Sequence, residues 1–144
     1  MNVPLQFRVL RRGDERVLET VAPDVFDDPI DPRAAGEFLR DPRHRLAVAI
    51  DGDVVVGFVS AVVYVHPDKP APELWINEVG VASSHQRQGI ARRLLECTLD
   101  EGRAAGCREA WVLTDRTNQA AMRLYEVSGG EASMDHVMFT FQLE

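Results

Sequence analysis

The sequence predicts one α/β domain, residues 1–144, in which a mixed sheet carries helices on both faces. Three features point there. Asp51-Gly52-Asp53 separates two runs rich in valine, a hairpin signal because Asp and Gly tolerate positive φ. The second half alternates apolar stripes of helical period with short β-rich runs. The length, 144 residues, fits one hydrophobic core and leaves little room for a second.

Taken in order, residues 7–11 read as a first strand, with Phe7 and Val9 alternating with Arg8. Residues 15–22 suit a short helix. An Asp- and Pro-rich loop follows, and Asp31-Pro32 has the form of an N-cap with proline at N1, opening a helix that ends near Asp41-Pro42. Strands 45–50 and 54–65 flank the hairpin turn, and the second is apolar on both faces, as a covered central strand should be. Strand 74–81 is expected to place Trp75, Asn77 and Val79 on one face and Ile76, Glu78 and Gly80 on the other.

Helix 89–105 carries the stripe Ile90, Ala91, Leu94, Leu95, Thr98, with Gly106 as its stop. Residues 109–114 form a strand. Helix 118–127 buries Ala121, Leu124 and Tyr125, and 136–143 closes the chain as a strand.

Composition narrows the function. The formal charge of −7 argues against a nucleic-acid partner, which needs a basic face. An acidic surface attracts cationic substrates, although the same charge also serves solubility. The apolar run 54–65 is too short to cross a bilayer, and the N-terminus has no basic-then-apolar leader pattern, so no membrane partner is expected. Cys97 and Cys107 have neither C-x-x-C spacing nor a nearby histidine, the pattern of reduced structural thiols in a cytoplasmic protein. His44, His66, His85 and His136 show no metal-ligand spacing, and no metal site is expected.

The most informative stretch is residues 78–91, where a strand runs through the turn Ser83-Ser84-His85-Gln86-Arg87-Gln88 into a helix beginning at Gly89-Ile90-Ala91. The first amides of a helix have no partners within it, and the helix dipole adds positive potential, so such a junction is an anion site. Gly89 permits close approach of a pyrophosphate and Ala91 keeps the next contact open. The competing reading is a plain strand–turn–helix connection. There is no G-x-x-x-x-G-K-[ST] and no G-x-G-x-x-G after an early strand, which sets aside P-loop and dinucleotide-binding cradles.

About thirty residues later comes Asn118-Gln119-Ala120-Ala121-Met122-Arg123-Leu124-Tyr125. The order strand, Q-x-x-G-x-A, amphipathic helix, strand, N-x-x-A-x-x-L-Y resembles the GCN5-related N-acetyltransferase (GNAT) superfamily over residues 47–141. The resemblance implies a sheet of six to seven strands, splayed at a cleft for acetyl-coenzyme A. It places main-chain groups of Val79 and Val81 along the pantetheine and the amides of Gln86, Arg87, Gln88, Gly89, Ile90 and Ala91 around the pyrophosphate. Asn118 would reach the pantetheine. Tyr125 would protonate the departing thiolate, a role suited to a phenol with pKa near 10; its spacing equally fits a core aromatic.

An ammonium must lose a proton before attack, and Glu78 and Asp115 are the two candidate bases, each with a plainer role as strand or turn residue. Finer features resemble the type I aminoglycoside 3-N-acetyltransferases: Val25-Phe26-Asp27-Asp28-Pro29, Leu113-Thr114-Asp115 and the tail Val137-Met138-Phe139-Thr140-Phe141. That resemblance implies an acidic trough of Asp27, Asp28, Glu78 and Asp115 for a polycationic amine, although Asp27-Asp28-Pro29 also reads as a turn. Glu78 stands where that group carries Asp, and Arg116-Thr117-Asn118 replaces its Gly/Asp-rich turn. Direct transfer in a ternary complex is expected, since neither cysteine lies beside the cleft mouth, and exposed sheet edges suit a homodimer.

Overall fold

The computed structural model describes residues 3–144. Its contacts divide into two units, Met1–Leu113 and Thr114–Glu144.

The first unit holds a five-stranded sheet in the order β1-β2-β3-β4-β5, comprising β1 (Gln6–Val9), β2 (His44–Asp51), β3 (Val54–Tyr64), β4 (Glu73–Val81) and β5 (Ala110–Val112). Neighbours are antiparallel except β4 and β5, which run parallel. The parallel step follows from the crossover through α2 (Ile90–Ala104), whereas Asp51-Gly52-Asp53 returns the chain as the expected tight hairpin, with Gly52 at φ 63°.

Helix α1 (Pro32–Arg40) begins where Asp31 accepts from the Arg33 and Ala34 amides at 2.9 and 3.3 Å, with proline in the first turn. Helix α2 turns Ile90, Leu94, Leu95 and Thr98 inward against β2 and β3. A Cβ on Gly57 would lie 3.1 Å from Ile90 and 3.2 Å from Leu94, so the bare backbone of β3 lets α2 sit close. Val48, Ala49, Val55, Val59, Leu74 and Leu94 are wholly excluded from solvent. Each such leucine or valine contributes about 1.5–3 kcal/mol by leaving water. Towards its C-terminal end, α2 is pinned by Glu101, which pairs with Arg11 at 2.6 Å and Arg45 at 3.3 Å.

Several expectations are corrected. The expected helix 15–22 is a 3-10 turn, Glu15–Glu19, because residues 20–22 pair beside β3: Val55 donates to the Thr20 carbonyl and Ala22 to the Val55 carbonyl, each at 2.9 Å. Among the described residues the sheet has five strands, not six to seven, and 136–143 forms none. Those residues alternate as a strand should, but without a neighbouring strand to complete a ladder the alternation alone does not make one.

The faces of β4 also differ from simple alternation. Ala61 pairs with Ile76 but Ser60 pairs with Glu78, leaving Asn77 as an extra residue, a β-bulge. Ile76 stays on the α2 face with Ala61. Glu78 and Gly80 turn to the opposite face with Ser60 and Phe58, as does Trp75 opposite Val62.

In the second unit, α3 (Gln119–Val127) is capped by Asn118, whose side-chain oxygen accepts from the Ala121 amide at 3.1 Å. Ala121, Met122, Leu124 and Tyr125 are half-buried rather than buried. Among the described residues no helix is long and apolar enough to cross a membrane.

Candidate active site

Two features of the first unit converge on the C-terminal end of β4. The parallel ladder with β5 stops at Ile76 and Val112, while β4 continues to Val81. Val79 and Val81 therefore lie on a stretch of β4 that β5 does not pair. Beyond it, the chain passes through a 3-10 turn, Ser83–His85, into the junction with α2.

That junction is wound tightly. Arg87 has φ 62° and Gly89 φ 75°, so two left-handed residues within three positions re-aim the backbone before the helix starts. Gly89 caps α2 without any side-chain bond, and no atom lies within 4 Å of where its Cβ would stand. The Gly89 carbonyl accepts from Arg93. The amides of Ile90, Ala91 and Arg92 have no protein acceptor among the described residues, as at any first turn. Gln86, Arg87, Gln88 and Gly89 are exposed around them, and the Gln86 side-chain amide donates to the Val81 carbonyl at 3.4 Å. The outcome is an open, electropositive cradle of unused N–H groups.

The surrounding loops hold this turn in place. Asp24 accepts from the Ser83 amide at 2.9 Å, and hydrogen bonding from the Ser83 side chain, with that amide second, holds its carboxyl below the usual carboxylate range. His85 is half-buried, 2.7 Å from Asp51 of the hairpin through Nε2 and 2.7 Å from the Ser84 hydroxyl through Nδ1. It is thus a brace between the turn and the β2–β3 hairpin, not a solvated loop residue.

On the α1 side of the sheet, Phe26 stacks on Phe58 with ring centroids 3.9 Å apart, carrying the 23–32 loop over β3. Gly80 is what admits the loop, for a Cβ there would come 2.3 Å from the Val25 carbonyl oxygen. Beside this stack opens a cleft of about 350 Å³ whose lining includes Asp27, Asp28, Phe38, Phe58, Ser60 and Glu78. Asp31 lines it too, so four carboxylates stand around an apolar floor, a combination chemically suited to an amine with a carbon frame.

Of the sequence-predicted site residues, Asp27, Asp28 and Glu78 line this one cleft, and Val79, Val81 and residues 86–91 form the open edge and cradle. Asp115, Asn118 and Tyr125 belong to the second unit. Asp115 is exposed and its carbonyl accepts from the Asn118 amide at 2.9 Å. Tyr125 is half-buried, and burial pushes its phenol pKa up. Sequence reasoning missed Ser60, Phe38 and the Asn77 bulge. A carboxylate interrupting an apolar strand was the one available hint that β4 changes face. Among the described residues no group of His, Cys, Asp and Glu side chains gathers as a metal site.

The model of the acetyltransferase (GNAT) family matches residues 12–129, most of the chain. The chain belongs to the GNAT family. Among its relatives, the N-alpha-acetyltransferase RimI of Mycobacterium tuberculosis is 32% identical over 128 residues, covering 88% of this chain and 78% of the relative. N-acetyltransferase 8 of Rattus norvegicus is 31% identical over 102 residues, 68% of this chain; the match spans 46% of the relative, about half its length. An aminoglycoside acetyltransferase from an uncultured soil metagenomic sample, solved with sisomicin, superposes with a TM-score of 0.80 at 22% identity over 97% of each chain, a likeness of fold. The GNAT domain described here is an acetyl-coenzyme A-dependent N-acetyltransferase.

Proposed function

We propose that residues 1–144 act as one GNAT domain that acetylates an amino group of an aminoglycoside, at the 3-N position, by direct transfer in a ternary complex. The observation that carries this reading is the position of Glu78. The Asn77 bulge turns its carboxylate onto the cleft face, where Asp27 and Asp28 also stand. An aminoglycoside presents several ammonium groups, and each attraction of about 1 kcal/mol in water grows in a partly closed cleft.

The open edge and cradle fit acetyl-coenzyme A. Main-chain groups of Val79 and Val81 would pair with the pantetheine, the amides from Gln86 through Arg87, Gln88, Gly89 and Ile90 to Ala91 would hold the pyrophosphate, and the Asn118 side chain would donate to the pantetheine. When bound, the thioester supplies the acetyl group and accepts a proton on its sulfur as the C–S bond breaks. Glu78 or Asp115 takes the proton from the substrate ammonium, freeing the nitrogen lone pair to form the N–C bond. Tyr125 would give its proton to the departing thiolate and regain one from the newly acylated nitrogen, which leaves a neutral amide and a neutral phenol; the burial that raises its pKa keeps the donor protonated at neutral pH. Unbridged Cys97 and Cys107 support a cytoplasmic setting.

The test is thiol release from acetyl-coenzyme A with a kanamycin- and gentamicin-class panel, alongside peptides with free N-termini. Turnover of the aminoglycosides with acetylation mapped to the 3-amine is expected. Binding of the donor without aminoglycoside turnover would remove this substrate. The similarity to RimI favours a peptide α-amine as the second reading, and turnover of the peptides alone would select it.

A further inference from the structure

Ser60 is only 8% exposed and lines the cleft from the middle of β3. Its partners across the sheet are Leu46 on β2 and Glu78 on β4, and Phe58 stands two positions along its own strand. Among the described residues its hydroxyl has no hydrogen-bond partner. Thr98, also a buried polar residue, instead donates to the Leu94 carbonyl at 2.8 Å. A buried hydroxyl without a partner is unfavourable, and alanine would fill the same place on this apolar strand. The hydroxyl of Ser60 is left to whatever occupies the cleft.

The rest of the lining shows what that hydroxyl adds. Asp27, Asp28, Asp31 and Glu78 can only accept hydrogen bonds when ionised, and the other lining side chains are apolar. Among the described residues of the lining, Ser60 is the one side-chain donor. Carboxylates recognise the N–H groups of any amine. An oxygen on the acceptor needs a donor instead. Ser60 stands directly opposite Glu78 in the ladder, and Cβ atoms so paired lie about 4.5–5.5 Å apart. A group one carbon away from an ammonium on Glu78 therefore comes within reach of Ser60.

We propose that Ser60 selects the acceptor, its hydroxyl donating to a hydroxyl or ether oxygen on the carbon next to the one that bears the reacting amine. The inference rests on the cleft being the acceptor site, and it adds a requirement that charge alone does not impose. A diamine of equal charge without oxygen satisfies the carboxylates and leaves Ser60 unpaired. A site discriminates by a hydrogen bond for this reason: its own polar group goes without a partner when the wrong ligand binds.

Steady-state acetylation of two ring diamines by the full chain tests this. 2-Deoxystreptamine carries a hydroxyl beside each amine, whereas cis-1,3-diaminocyclohexane has the same ring, amine spacing and charge with no oxygen. The wild-type protein should prefer the first by about tenfold in kcat/KM, the factor of one modest hydrogen bond. Ser60→Ala should raise KM for 2-deoxystreptamine by that factor, hold kcat, and leave the bare diamine unchanged. Ser60→Thr keeps the donor and should keep the preference. Ser60→Cys, a weak donor of similar volume, should follow Ser60→Ala and decides if that variant fails to fold. No preference in the wild type, a preference that survives Ser60→Ala, or equal losses on both diamines would overturn the role of Ser60 and leave the acetylation itself in place. Acetylation of neither ring would remove the acceptor reading of the cleft, and this inference with it.

Discussion

Ser60 and Glu78 stand opposite each other across the β3–β4 ladder, although strict alternation from Ile76 would send Glu78 to the α2 side of the sheet. Asn77 is the residue in excess. Its insertion moves a charge that would otherwise meet the apolar α2 interface into a cleft already lined by Asp27 and Asp28. Deleting Asn77 should restore alternation, drive Glu78 toward the core and lower the melting temperature, as burial of an unpaired carboxylate demands. Glu78→Gln keeps the fold and removes the charge. We expect it to reduce kcat/KM for a polycationic amine about tenfold and to leave the Kd for acetyl-coenzyme A unchanged, read by steady-state kinetics and calorimetry.

Gly89→Ala tests the cradle. Nothing obstructs the added methyl, but φ 75° costs an L-residue about 1–2 kcal/mol. A fall in stability of that size is expected by chemical denaturation. Coenzyme A affinity should fall several-fold as well, because the methyl stands beside the amides assigned to the pyrophosphate. An unchanged affinity would move the anion elsewhere.

Gly80→Ala tests how the acidic loop is carried. The new Cβ would collide with the Val25 carbonyl oxygen at 2.3 Å and with Phe58 at 2.8 Å. Overpacking of this kind costs about 1–3 kcal/mol. Displacement of the loop should raise KM for the amine more than it changes kcat.

Much of this arrangement was legible beforehand because local chemistry decides it. Asp31-Pro32, Asp51-Gly52-Asp53 and the stripe from Ile90 to Thr98 each carry their own reason for forming, and each element stands within a residue or two of its expected place. The failures have another origin. The bulge at Asn77 arises from pairing with β3, which nothing local to β4 announces. Residues 20–22 leave the helical path because Val55 offers them hydrogen bonds from thirty-odd positions away. Residues 136–143 alternate faithfully, yet a strand is a relation between two segments, and one sequence pattern supplies only half of it. In the candidate site, the resemblance implied an acidic trough of Asp27, Asp28, Glu78 and Asp115; the first three line one cleft, and how Gly80 and the Phe26–Phe58 stack carry the loop there was not readable from the sequence.

Tyr125→Phe should lower kcat by a factor of about 10²–10⁴ with little change in acetyl-coenzyme A affinity, the range for loss of a general acid. Burial raises the phenol above its ordinary value of 10.0, so the proton donor remains intact through neutral and mildly alkaline pH. No loss of kcat attributable to this tyrosine is expected below about pH 10. Equal kcat for the two proteins across that range would take Tyr125 out of the reaction.

Asp24 gives the turn before α2 an acid limit. Its pKa is depressed by hydrogen bonding from the Ser83 side chain and amide, so that contribution is complete above the ordinary value of 3.8 and is lost as pH falls through the lower folded value. Asp24→Ala should lose stability at neutral pH relative to the parent, and the difference should shrink on acidification below about pH 4. Thermal melts at pH 7 and pH 3 read both.

The pairing of β4 with β5 over only three residues has an evolutionary consequence. β3 pairs with β4 to its end, so what β5 leaves uncovered is one edge of residues 77–81, the edge proposed for the acyl donor, while the cleft proposed for the acceptor is furnished in part by a separate loop on the α1 side. On that reading, substitutions at Asp27 and Asp28 would retune which amine is welcomed, provided Asp24, which holds the turn before α2, is kept. A lineage built on this plan can change its acceptor through a few surface residues and keep the costly part, the donor grip, untouched.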